Sequence, residues 1–342
     1  FASRIEHPLV AVAAGVALGG FVQFAFQLPS FFKNGYSLAP EYNFRHPGLK
    51  KMSILILPAT MGMAVAQINI FISTILASYL PEGSITYLYY SMRLIQFPIG
   101  IFGVAMGMAV LPTLSGHAVR GDLDKLRDDF SFALRLLFFI TIPAMAGLIA
   151  LREPIVNMLF QRGKFDYAAT MGTADALLFY SLGIWAIVGV RIVTASFYSM
   201  QDTKTPVKIA VAALATNIVF SIILMGPLKH SGLAFANAIA SSVNFFLLFY
   251  FLRRKLKRID ARRIIKSFTK VCLASALMGI AGWFLLHGDL WRQHGRSLEK
   301  AGYLSAAIML CAGIYFLISY LLKSEEMAYV INLIREKIKG RR

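Results

Sequence analysis

The chain has 342 residues, of which 57% are hydrophobic, with a mean hydropathy of +0.63 and a formal charge of +18. That is more apolar surface than a water-soluble domain of this length hides, so lipid is the expected solvent. The charge excludes little alone, but it falls in short gaps between apolar runs and not over one polar surface, which argues against a nucleic-acid binder.

Runs of about twenty apolar residues predict nine membrane-spanning helices, at residues 8–32, 52–80, 86–113, 129–151, 171–200, 205–226, 231–252, 264–286 and 301–322. The segment 152–170, "REPIVNMLFQRGKFDYAAT", is too polar to span and predicts a short interfacial helix. Alternate connections differ sharply in basic residues, 24 Lys and Arg on one side against seven on the other. By the positive-inside rule the richer side, which includes the C-terminus, is cytoplasmic, and an odd number of spans then places Phe1 outside. The chain begins without Met a few residues before a span, as a piece of a longer protein would. Cys272 and Cys311 lie in apolar runs without ligand-spaced neighbours, so no disulfide framework, metal site or cofactor is expected.

In the second run Thr60, Gln67, Thr74 and Ser78 share one face, and Asn69 and Ser73 point nearly the opposite way. Such groups serve interhelical hydrogen bonds or line a polar path. The third run carries a full positive charge at Arg93. At about 100° per residue, Tyr89, Arg93, Gln96, Gly100, Gly103 and Gly107 form one stripe beside Pro98, polar above and small below. The glycines fit close helix packing as readily as a cavity floor. Arg135, about two turns into the fourth run, is placed to snorkel to the interface. Arg191 aligns with Thr194 and Tyr198 in the fifth, ahead of a loop in which Asp202, Thr203 or Thr205 caps the next helix.

An arginine at a helix centre costs about 2.5–3.5 kcal/mol to insert, and the nearest approach to a membrane carboxylate beside Arg93 or Arg191 is Asp175, near the outer end of the fifth run, where a flanking position is its default reading. The two arginines therefore point to an anionic guest in a wet cavity. The acidic cluster "DLDKLRDD" at 122–129 alternates with Lys125 and Arg127 as a solvated turn does, and no second acidic motif accompanies it to hold magnesium.

The motifs "YYSMRLIQFPIGIFGVAMGMAVLPTLS", "LFQRGKFD", "GVRIVTASFYSMQDTKTPVKI" and "GLAFANAIASSVNF", in this order and spacing, closely resemble the lipid II flippase family of bacterial peptidoglycan synthesis, MurJ or MviN. The resemblance runs over essentially the whole chain. It places the family in the superfamily of multidrug and polysaccharide exporters and implies an all-α polytopic fold of fourteen helices. Of these the chain would hold residues 1–33 as the last helix of an N-terminal lobe, 34–51 as a cytoplasmic linker and 52–253 as the six-helix C-terminal lobe. Residues 254–323 would form an extra helix pair grooved for the polyprenyl tail, with small residues such as Ser275, Gly279, Gly282 and Gly313, and 324–342 a basic amphipathic tail. The resemblance implies flipping of lipid II across the inner membrane, with no bond made or broken. Its cavity arginines for the substrate diphosphate would include Arg93 and, at a basic position of the tenth family helix, Arg191. Gln96, Gln67 and Asn69 are the polar residues expected beside them. Implied partners are lipid II, membrane lipids, the missing N-terminal lobe and the cell-wall synthesis machinery. Alternatives are a flippase for another polyprenyl-linked glycan, a cation-coupled drug exporter, which wants membrane carboxylates, an enzyme acting on polyprenyl diphosphates, and a non-transporting scaffold.

Overall fold

A computed structural model describes residues 8–35, 47–257, 259–286, 291 and 297–339. Among them there are helices and no strands: α1 (Pro8–Lys33), α2 (Pro47–Ser78), α3 (Ser84–Pro98), a π-helical turn (Ile99–Val104), α4 (Ala105–Val119), α5 (Leu123–Ala150), α6 (Arg152–Phe160), α7 (Tyr167–Ser181), α8 (Ile184–Ser199), α9 (Lys204–Leu256), α10 (Ala261–Leu286), α11 (Ser297–Leu321) and α12 (Glu325–Lys339). The fold is all-α, as expected. The chain divides into a unit of residues 1–58 and a larger one of residues 59–342. In the first, α1 is a continuous apolar helix with Val16, Phe21 and Phe26 exposed.

Seven described helical stretches are long and apolar enough to cross a membrane. They hold eight of the nine expected runs, because α9 carries two. Its 53 residues would extend about 80 Å if straight, against roughly 30 Å of hydrocarbon. The helix breaks at Lys229 (φ 51°, ψ −133°), and beyond it Gly232 lies so close to Leu224 that a Cβ would sit 2.2 Å from the Leu224 carbonyl oxygen. The chain therefore doubles back within one turn. The ninth run, in α2, has described side chains only from Ala64, and the apolar stretch Ala64–Ser78 is shorter than a span. The segment at 152–170 forms the expected short helix, α6.

In the larger unit α8 is central and packs on α4, α5 and α9, and α5 also packs along α10. Phe138, Trp185, Phe245 and Phe268 bring α5, α8, α9 and α10 together, with ring centroids 5.3–6.3 Å apart. Such aromatic contacts give a membrane core the specific packing that hydrophobicity alone cannot, since lipid tails are equally apolar.

Two basic side chains, Arg127 and Lys270, are tied to helix ends. Arg127 donates from Nη2 (2.6 Å) and Nε (3.2 Å) to the Leu256 carbonyl at the end of α9, and Lys270 donates to the carbonyls of Leu322 (2.7 Å) and Lys323 (3.0 Å) just past α11. Each satisfies carbonyls that a helix end leaves without partners and places a cation at the negative end of the helix dipole. The acidic cluster is a surface feature, as read from sequence: Asp122 caps α5 through the Lys125 amide, Asp124 pairs with Arg127, and Asp129 meets His117 at 2.9 Å.

Candidate functional site: an arginine face on a broken helix

The helix carrying Arg93 has two unlike faces. Ser84, Leu88, Ser91, Ile95 and Pro98 recur at spacings of three and four and are buried. The Ser91 hydroxyl, fully buried, lies 2.9 Å from the Thr173 carbonyl of α7 and 2.5 Å from its own Tyr87 carbonyl, which fixes the rotation of α3. That rotation turns Tyr89, Arg93, Gln96 and Gly100 outward on the opposite face, all exposed. The Arg93 guanidinium donates from Nη1 to Gln96 Oε1 and from Nη2 to Tyr89 Oη, both at 3.0 Å, and lies 4.9 Å from the centre of the Tyr89 ring. A guanidinium has five N–H donors, so these two bonds leave three for another acceptor. A Cβ on Gly100 would meet nothing within 4 Å, so the floor beyond Arg93 is open.

The stripe expected from a uniform helix does not continue past Gly100. Pro98 has no N–H for its helix bond and crowds the carbonyl four residues back, and a π-helical turn follows it directly. The wider turn rotates Gly103 inward, where it is buried against α8. A Cβ there would lie 3.0 Å from Val188 Cγ1 and 3.4 Å from Arg191 Cδ, and one on Gly107 would lie 3.8 Å from Arg191 Cβ. The glycines thus divide the two roles read from sequence: Gly100 floors an open space, and Gly103 and Gly107 are packing glycines over which the Arg191 stem lies. Arg93 lies on α3 before the π turn, and Arg191 lies on α8, which packs against that turn. Arg191 is itself exposed.

A family model for the lipid II flippase MurJ matches residues 1–294. The chain belongs to that family. It is 36% identical over 289 residues to a probable lipid II flippase MurJ of Haemophilus influenzae, covering 83% of this chain and 56% of the relative. It is 34% identical over 329 residues to one of Vibrio cholerae, covering 95% and 63%. The chain therefore spans between half and two thirds of the length of these curated relatives. A solved lipid II flippase MurJ in an inward closed conformation superposes with a TM-score of 0.72 at 27% identity, over 89% of this chain and 60% of that one.

In this MurJ-family chain the two polar residues expected on α2 part company. Gln67 is exposed, whereas Asn69 is half-buried and accepts at Oδ1 from Asn217 Nδ2 of α9 at 2.5 Å, with Ser73 Oγ 3.5 Å from the same amide. Asn69 and Asn217 border a cavity of about 190 Å³ lined also by Asn237, Ser241 and Asn244, in which Oδ1 of Asn217 and of Asn244 are buried with no partner among the described residues. Asn69 is thus joined to a polar knot between α2 and both arms of α9, apart from the Arg93 bonds. The sequence held a signal for that knot, since Asn237, Ser241 and Asn244 recur at helical spacing. Thr74 and Ser78, on the other face, bond to backbone carbonyls of their own helix.

An apolar slot of about 580 Å³ runs between α5 and α10, lined by Ile142, Met145, Ala146, Ser275, Gly279 and Trp283 among others, with Arg152 at one end. Two of the small residues expected to form a groove, Ser275 and Gly279, face it. Gly282 instead packs tightly, where a Cβ would lie 2.9 Å from Cys311 Sγ, and Gly313 faces open space. The slot's second wall is α5, which the sequence did not single out.

Arg135 is no snorkelling residue. It is buried, and Nη1 donates to Glu325 Oε2 (2.8 Å) and to Glu326 Oε1 (2.7 Å) of α12, while Arg263 Nη2 of α10 donates to the same Glu325 oxygen at 2.7 Å. The Arg263 guanidinium, and then Arg135, keep the Glu325 carboxyl below its ordinary range despite opposing desolvation. Sequence reasoning missed these partners because they lie 190 residues away and outside the spans. The tail is a helix, as expected, with Met327 and Val330 packed on the core. The side chains of Ile334, Lys337, Ile338 and Lys339, on which its amphipathic reading also rests, lie outside the described residues.

Proposed function

We propose that the chain forms part of a flippase that carries lipid II, the polyprenyl-diphosphate-linked peptidoglycan precursor, across the bacterial inner membrane by alternating access. Membership of the MurJ family supports the substrate. The observation that carries the site is Arg93, a cation on a membrane-spanning stretch with no carboxylate partner among the described residues, held outward with three N–H donors beyond those given to Tyr89 and Gln96. A diphosphate cannot cross hydrocarbon unpaired, and a guanidinium can meet two of its oxygens at once through parallel N–H bonds. Arg191 adds a second cation behind the π turn. The lobe of residues 52–253 contributes this arginine face, and the slot between α5 and α10 takes part of the polyprenyl tail, which needs only a lateral opening because it is already at home in lipid. The reaction is transport, with no covalent step. The C-terminus is cytoplasmic, and the chain works with the N-terminal lobe of its family and with the cell-wall synthesis machinery.

The test is complementation of flippase-depleted cells with the protein expressed from its complete gene. Arg93→Ala is expected to abolish growth support while membrane levels hold, because removing the charge eases insertion by about 2.5–3.5 kcal/mol. An abundant, fully active Arg93→Ala protein would sink the role.

A further inference from the structure

We propose that Tyr89 and Gln96 are positioning residues: they hold the Arg93 guanidinium in one orientation for an anion with paired oxygens, without themselves contributing to the fold. This rests on the flippase reading above. All three residues sit on α3, Tyr89 four before Arg93 and Gln96 three after it, and all three are exposed. Their bonds join no second helix, so they do not pack the bundle.

What they do is restrict a side chain that otherwise has four flexible bonds. Gln96 takes one N–H of Nη1 and Tyr89 one of Nη2, so the two terminal nitrogens are pinned on different sides at 3.0 Å each. The Tyr89 ring, 4.9 Å from the guanidinium carbon, adds a contact between cation and aromatic ring. One N–H on each terminal nitrogen and the Nε–H remain, in a fixed fork that suits adjacent oxygens of a phosphate or diphosphate. A receptor ordered before the ligand arrives does not lose that freedom on binding.

Tyr89 is backed in turn. Its ring meets Tyr90 edge-on at 5.8 Å, and Tyr90 is wedged against Phe160 (4.5 Å) and Phe165 (5.5 Å). Both phenylalanines belong to the motif "LFQRGKFD", which the transport reading leaves without a task. Its contribution is to steady the aromatic side of the arginine site.

The experiment is a double-mutant cycle on the protein expressed from its complete gene, purified and reconstituted in phosphatidylcholine nanodiscs, with lipid II binding as the readout. Tyr89→Phe keeps the ring and loses the acceptor, and Gln96→Leu keeps the bulk and loses the carbonyl. Each is expected to weaken binding by roughly three- to tenfold, a full factor of ten corresponding to about 1.4 kcal/mol. In an Arg93→Lys background, where no fork exists to orient, the same changes should cost nothing more, and thermal stability should not move in either background. Unchanged affinity in both single variants would overturn the proposal, as would an equal loss with and without the arginine. If Arg93→Lys and Arg93→Ala both bind as tightly as the parent, the flippase site itself is misplaced. If Arg93→Ala abolishes binding while Tyr89→Phe and Gln96→Leu do not alter it, only the positioning role fails.

Discussion

Replacing Glu326 with alanine should release α12 from the bundle. Arg135 is 5% exposed and its Glu326 partner 2%, so this is a desolvated pair, unlike the contact with Glu325, which is 56% exposed. Breaking one side of a buried pair costs about 3–5 kcal/mol. Here Glu325 still holds Arg135, which places Glu326→Ala near 3 kcal/mol, close to what a hydrogen bond to a charged group contributes. Glu325→Ala, by contrast, should cost at most about 1 kcal/mol, the range of exposed pairs. Arg135→Ala should cost most, because it leaves a buried Glu326 with, among the described residues, only the Ser324 hydroxyl at 2.7 Å. Amide hydrogen exchange in α12 of the purified protein measures this directly: about 3 kcal/mol is on the order of a hundredfold faster exchange through local opening. Equal protection of α12 in parent and Glu326→Ala, or a Glu325→Ala effect as large as that of Glu326→Ala, would refute the reasoning.

Because its guanidinium neighbours depress the Glu325 carboxyl, the stability it lends is complete above its ordinary value of 4.5 and disappears as pH falls through the lowered one. Protease protection of α12 should therefore be flat at neutral pH and weaken only in acid below about 4.5. Gly232→Ala places a methyl within 2.2 Å of a backbone oxygen that cannot step aside, so the variant should fail to accumulate in membranes, as an immunoblot would register. Cysteines introduced at Gly83 and at Arg254 should react from opposite faces of the membrane, Gly83 from the periplasm, and labelling of both from one face would contradict the assigned topology.

The spans were legible because lipid demands long apolar runs, and the reversal at Lys229 because the short gap at residues 227–230 separates two of them. Arg93 was legible because a charge within such a run has few bland explanations. The cap at Asp202, bonded to the Thr205 amide at 3.1 Å, followed from local chemistry. What stayed hidden depends on tertiary neighbours. Uniform periodicity carried the small stripe past Pro98, but a π turn re-aims Gly103 toward α8, and no count of residues per turn foresees that. Arg135 looked like a snorkelling residue because its acids arrive from the far end of the chain. Helical phase already set Gln67 and Asn69 on opposite faces of α2, but which face meets Asn217 depends on where α9 packs.

On the proposed topology, Arg127 and Lys270 carry two duties at different moments in the life of the chain. During insertion such residues vote on which side stays in the cytoplasm, a count in which any lysine or arginine nearby serves as well. After folding, each is bonded to the end of a particular helix, where only a cation of that reach serves. Reversing the sign at Arg127 would be punished twice, once by the machinery that inserts the chain and again by the helix end it leaves bare.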